Sequence, residues 1–209
     1  MVQRVKRKAS PTAAAADQPR TTPAPPKATP TLASALGLEG ERMSKVDTAW
    51  LRMDSPSNLM MIVGVWILRP GITLAALSER VRERMLPYRR FVQIARQDAA
   101  GAHWLDDPDF RLERHVLTRT LPHRSGQSEQ DRLQERVAEL TMQPLDHEHP
   151  LWQFELIESY EGGSALIARI HHCIADGIAL ISVMMSLVDG GGLPPRRSRS
   201  KPAAEGLDA

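Results

Sequence analysis

Hydrophobic and polar positions fall into readable patterns only in the middle of the chain, from about Met43 to Val188. Leu59–Leu68 is an unbroken apolar run that ends at Pro70-Gly71, the pattern of a short buried strand. Thr73 then stands as an N-cap ahead of Leu74, Leu77, Val81 and Met85, whose spacing lays them on one helical stripe. Arg80, Arg82, Glu83 and Arg84 fall off that stripe and are expected to face away, and Pro87 ends the helix. Phe91–Arg96 and Gly101–Leu105 read as a hairpin, and Phe110–Leu121 as a further strand with a polar end. Ser128 and Asp131 frame a capping box that opens a helix carrying Leu133, Val137 and Leu140. In Leu151–Ile157, Trp152, Phe154 and Leu156 share one face, while Gln153 and Glu155 take the other. Glu161-Gly162-Gly163 is a turn. Ser164–Ile170 is apolar on both faces apart from Arg169, which predicts a strand central in its sheet. Ile178–Val188 reads as a short apolar helix. These elements predict an α/β domain built on a mixed, largely antiparallel sheet flanked by helices.

The ends have a different composition. Six prolines lie in the first thirty residues among Ala, Thr and six basic residues, with Asp17 the only acid there. Such a stretch buries too little apolar surface to offset its ordering entropy, so residues 1–38 are expected to be a disordered tail. Gly190-Gly191-Gly192, Pro194, Pro195 and the basic run through Lys201 make 190–209 a linker or tail, leaving 39–189 as the domain. The 209-residue chain has 27 basic and 25 acidic side chains, and its formal net charge of +2 argues against a dedicated nucleic-acid binder. Aromatics at 4% are too few for a base-stacking platform. A single Cys excludes a disulfide framework and suits a reducing compartment, so a cytoplasmic location is expected. The longest apolar run is about half of what a membrane-spanning helix needs.

The predicted central strand runs straight into His171-His172-Cys173-Ile174-Ala175-Asp176-Gly177. A polar cluster between a buried strand and an apolar helix must be hydrogen-bonded or it destabilises the fold. A structurally satisfied His pair is the plainest reading. A neutral imidazole held at a strand end could equally take a proton from an alcohol as a general base. His172 and Asp176, four apart, could share a metal, but they make a weak ligand set. A Cys173 nucleophile is disfavoured because adjacent side chains on extended backbone point opposite ways, leaving His172 badly placed to activate it.

His171-His-Cys-Ile-Ala-Asp-Gly177 resembles the HHxxxDG signature of the CoA-dependent acyltransferase superfamily, which includes chloramphenicol acetyltransferase and peptide-synthetase condensation domains. The segment Met43–Ile62, and Pro144-Leu-Asp-His-Glu-His-Pro-Leu-Trp152, are similar to stretches of the bacterial wax ester synthase/diacylglycerol acyltransferases. The resemblance covers about residues 40–190, with the motifs in the family's order. It implies one lobe of the chloramphenicol acetyltransferase-like fold. It also implies acyl transfer from acyl-CoA to diacylglycerol or a long-chain alcohol, with His172 as general base. His171, Asp176 and Gly177 would support the motif. Pro150, Leu151 and Trp152 would be fold or pocket wall. Acyl-CoA enters as co-substrate, with no cofactor and no metal. The apolar substrates suggest peripheral contact with a membrane or lipid droplet.

Family enzymes have two similar lobes, the second carrying an Asn-Asp motif. No Asn-Asp pair occurs in this sequence, whose only Asn is Asn58. The chain is therefore expected to be a truncated half-enzyme that could work with a second lobe in trans. The competing expectation is a non-catalytic lipid-binding or interaction lobe that keeps His172 by descent.

Overall fold

The structure, a computed structural model, describes residues 40–99, 101–174 and 177–188. The two expected tails lie outside the described residues. The elements follow in the order β1 (Glu41–Arg42), α1 (Lys45–Met53), β2 (Met61–Leu68), α2 (Leu74–Arg84), β3 (Gln93–Asp98), β4 (Gly101–Asp106), α3 (Leu112–His115), β5 (Val116–Thr118), α4 (Glu129–Thr141), β6 (Trp152–Tyr160), β7 (Gly163–His171) and α5 (Gly177–Ser186). Strands β2-β7-β6-β5 form one sheet, and β1-β4-β3 form a second, smaller one. The pairs β2–β7 and β6–β7 are antiparallel and β5–β6 is parallel, so the main sheet is mixed, as the patterning predicts.

Helix ends follow local chemistry. Thr73 accepts the Ala76 amide at 3.2 Å and starts α2. At the start of α4, Ser128 accepts the Asp131 amide while Asp131 accepts the Ser128 amide, both at 3.0 Å. The turn between β6 and β7 places Glu161 at φ 45° and Gly162 at φ 75°, a left-handed pair that only glycine adopts without strain.

The β7 strand is buried at every residue, as expected for the central strand. One face of the main sheet presents Phe154, Leu156, Leu166, Ala168 and Ile170 to Leu77 and Val81 of α2 and to Leu180, Val183 and Met184 of α5. The other face packs Ile157, Ala165 and Ile167 beneath Leu133 and Leu140 of α4. Each fully buried side chain of this size contributes about 1.5–3 kcal/mol.

Three expectations change. Leu59–Leu68 is not a buried strand: β2 lies at the sheet edge, and Val65 and Ile67 are 41% and 45% exposed beyond the cover of α4. Phe110–Leu121 is not one strand. Leu112–His115 form a single helical turn that buries Leu112 and His115 together, and only Val116–Thr118 pair with β6. On the face of β6 opposite Trp152, Glu155 is 3% exposed beneath α4, where Arg136 grips both carboxylate oxygens at 2.7 Å. Arg80 and Arg84 do not face away, because their guanidinium groups donate to the carbonyls of Leu187 and Ser186 at 3.1 Å. Cations at the C-terminus of α5 complement its dipole.

Candidate active site

Because β7 is central, successive amides at its end reach opposite neighbours. The His171 N–H donates to the Leu151 carbonyl at 3.0 Å, beside the start of β6. The His172 N–H donates to the Met60 carbonyl at 2.8 Å, beside the start of β2. The His-His segment, the Pro-Leu-Trp segment and the segment Met43–Ile62 are thereby tied together at one end of the sheet.

The two imidazoles have different surroundings. His171 is 2% exposed. Its Nδ1 accepts the Cys173 amide at 3.0 Å, so in the neutral ring the proton sits on Nε2. Nε2 faces Asp54 Oδ1 at 3.7 Å, beyond hydrogen-bond length. Burial lowers the His171 pKa from 6.5 to about 4, the Asp54 carboxylate opposes that shift, and His147 and His172 add to it. His172 is only half-buried, and its ring stacks on Trp50 of α1 with centroids 4.7 Å apart and planes at 22°. Among the described residues its ring nitrogens carry no hydrogen bond.

His171 therefore gives the fold a signature in pH. The unfolded chain takes up its proton near pH 6.5, whereas the folded ring resists until about pH 4. The stability held by the neutral ring is complete above pH 6.5 and is lost as pH falls to 4. The loss is on the order of 3 kcal/mol at about 1.4 kcal/mol per pKa unit. His115, whose pKa is also lowered by burial, acts in the same direction. Urea unfolding from pH 7 to 4 should show this decline. In His171→Gln the dependence should weaken by about one proton; an unchanged slope would remove His171 from the account.

Cys173 is buried at 1% exposure, and desolvation raises its thiol pKa, with the Asp47 and Asp54 carboxylates adding to the effect. It is held as an unreactive thiol, against the nucleophile reading. Asp176 lies outside the described residues, and Gly177 is the first residue of α5. Among the described residues no group of three or more His, Cys, Asp or Glu could hold a metal ion.

Pro150, Leu151 and Trp152 are all buried. The Trp152 indole N–H donates to the Phe91 carbonyl at 2.8 Å, and its ring stacks on His115 at 4.6 Å. The Leu151 carbonyl, not a side chain, makes the link to His171. A separate cleft of about 420 Å³ opens beside Trp152, lined in part by His115, His149, Gln153 and Arg169, and does not include the His pair.

Three residues at the site were not singled out from the sequence. Trp50 supports the His172 ring. Asp54 accepts the Met60 amide at 2.7 Å, and its other oxygen lies 3.0 Å from His147 Nε2. The signal available was their place in the two segments that carry the resemblance. Nothing in the spacing of Trp50 and Asp54 pairs them with a strand more than a hundred residues away.

The fold belongs to the class of acyltransferases and condensation domains built on this layered sheet. The starter condensation domain of rhizomide synthetase RzmA, solved with C8-CoA, superposes with a TM-score of 0.60 at 17% identity, covering 74% of this chain and 35% of that one. The wax ester synthase/diacylglycerol acyltransferase of Marinobacter aquaeolei VT8 superposes with a TM-score of 0.55 at 22% identity, covering 74% of this chain and 41% of that one. Residues 43–207 match the wax ester synthase/diacylglycerol acyltransferase catalytic domain, and the chain belongs to that family of acyltransferases. The probable diacylglycerol O-acyltransferase tgs1 of Mycobacterium tuberculosis is 39% identical over 120 residues, 56% of this chain and 24% of that protein. The probable diacylglycerol O-acyltransferase tgs3 of the same species is 32% identical over 161 residues, 74% of this chain and 58% of that protein. The matched stretch thus spans about a quarter of tgs1 and under two thirds of tgs3.

Proposed function

We propose that this chain carries the general-base lobe of an acyl-CoA-dependent O-acyltransferase that forms triacylglycerol or wax esters, with His172 as the base. The observation that carries this reading is the half-exposed His172 ring just past the end of a fully buried central strand, where the His171 and His172 amides tie the backbone to two other family segments. A base needs an orientation fixed by its surroundings and a nitrogen free to meet the substrate. His172 has both: Trp50 supports one ring face, and among the described residues its nitrogens are unengaged.

In the proposed reaction His172 takes the proton of the acceptor hydroxyl as the oxygen attacks the thioester carbonyl. The C–S bond of the tetrahedral intermediate then breaks. An ester forms, and the proton on His172 passes to the departing CoA thiolate. His171 holds the turn and remains neutral over the working range, its proton on Nε2. Asp176 and Gly177 are assigned to closing the loop, and Pro150, Leu151 and Trp152 to holding it from beneath. The condensation-domain relative solved with C8-CoA supports acyl-CoA as the donor. The relatives named diacylglycerol O-acyltransferase support diacylglycerol as the acceptor, and the Marinobacter enzyme's name supports wax esters as the alternative product. No cofactor is assigned. Peripheral contact with a membrane or lipid droplet fits such acceptors, and no helix among the described residues is long and apolar enough to cross a membrane.

The test is product formation from labelled palmitoyl-CoA offered with dioleoylglycerol and with hexadecanol in parallel, scored for CoA release and ester product. Ester from either acceptor supports the reading and names the acceptor class. CoA release without ester would reassign the site to thioester hydrolysis.

A further inference from the structure

We propose that Trp50, on the last turn of α1, and Asp54, the residue that caps its C-terminus, are positioning residues that set the ring orientation of His172 and the backbone beneath it. This inference rests on the reading of His172 as the base. The two residues are four apart, so α1 presents both on the same side. Trp50 provides the platform: its indole lies nearly parallel to the His172 imidazole at a centroid distance of 4.7 Å. Stacking on one face fixes the ring plane and leaves both nitrogens available at the edge.

Asp54 acts one step further away. Its Oδ1 accepts the Met60 amide at 2.7 Å, and the carbonyl of that same residue accepts the His172 amide at 2.8 Å. Met60 is thus held from both sides, by a carboxylate through its N–H and by the base's own backbone through its C=O. The second Asp54 oxygen lies 3.0 Å from His147 Nε2, which brings in the loop that leads to the Pro-Leu-Trp segment. His171 Nε2 faces the same carboxylate at 3.7 Å. The Asp54 side chain is only 10% exposed, so water cannot readily substitute for these partners. One buried carboxylate therefore joins α1, the start of β2, the 144–150 loop and the end of β7. A carboxylate suits this place because it only accepts, and an amide hub, the Met60 N–H, and a ring N–H converge on it. Asn would keep one acceptor oxygen and put donors where the other stood.

The first readout is independent of turnover. In the full chain with 13C-labelled histidine, the His172 Cε1–H resonance is identified by its loss in His172→Ala. Stacking on Trp50 should place it upfield of a free imidazole. Trp50→Leu should abolish that displacement and Trp50→Phe should retain part of it. Asp54→Asn should move or broaden the resonance even though Trp50 is intact. The second readout is kinetic. Misplacing a catalytic group by about 1 Å can cost about 10²-fold, so Asp54→Asn and Trp50→Leu should lower kcat by roughly 10- to 100-fold, with KM changed less than about twofold. Trp50→Phe should recover most of the rate.

A wild-type resonance without the upfield displacement, or one indifferent to both Trp50→Leu and Asp54→Asn, overturns the proposal whatever the activities are. So does a kcat retained within about twofold in both variants while His172→Ala is inactive. If His172→Ala keeps full turnover, the reading of His172 as base fails, and the resonance shifts still decide the positioning. Should Asp54→Asn fail to fold, the Trp50 pair carries the test alone.

Discussion

Acyl transfer from palmitoyl-CoA is expected to fall by about 10²–10⁴-fold in His172→Ala, the usual cost of a lost general base. The effect should appear in kcat and kcat/KM together, because the proton is transferred only in the transition state. Cys173→Ala is the matched control. That thiol is buried next door and held protonated, so its loss should leave the rate within a few-fold. His171→Gln should damage stability and rate together, since its ring holds the Cys173 amide and has no path to solvent. The assignment is reversed if the Cys173 variant is inactive while the His172 variant turns over normally. Retained turnover in all three variants would move the chemistry elsewhere.

Arg136→Met should destabilise the domain by about 3–5 kcal/mol, the range for stranding one member of a buried ion pair. Glu155 lies 3% exposed in the middle of β6, and both its oxygens are bound by Arg136 at 2.7 Å. The hydrogen bonds that Arg136 donates to Glu155 and Glu139 raise the pKa of its guanidinium, opposed by its own partial burial. Arg119, 3.5 Å away and half exposed, can compensate only in part. The double variant Arg136→Met with Glu155→Leu should recover most of the loss, because an apolar pair of similar volume needs no desolvated charge. Urea unfolding of both variants beside the wild type at pH 7 measures both effects. A single variant within about 1 kcal/mol of the wild type would show that Arg119 or water takes over.

The elements that read well from sequence are those whose burial is decided by their own periodicity. The β7 strand is apolar on both faces and is central; α2 and α4 show their caps and stripes in the right places. The misreadings share a cause. An apolar run such as Leu59–Leu68 has the same appearance whether the chain covers it or leaves it at an edge. His115 counts as polar in a pattern, yet it stacks between Phe110 and Trp152 and draws Leu112–His115 into a helical turn. For Glu155 the pattern gives only a face, and its partner Arg136 comes from a helix nineteen residues earlier. At the site, the His pair was legible because its residues are contiguous. Asp54 was not, since an acidic residue at the end of a helix ordinarily reads as surface, and its partners His147 and His171 enter only through the fold.

The hydrogen bonds that close the end of β7 also bear on how this domain opens. Amides of a strand flanked on both sides exchange with solvent only when most of the domain unfolds, whereas edge strands and loops open at much lower cost. The His171 and His172 amides carry that protection through the strand's last residue and one residue beyond it, the first bonded toward β6 and the second toward β2. His172, the base proposed above, is thus anchored to a slow-opening part of the domain. In the reaction proposed above, movements that admit substrate or release product are therefore expected in the surrounding segments, with His172 as the stationary point they move against.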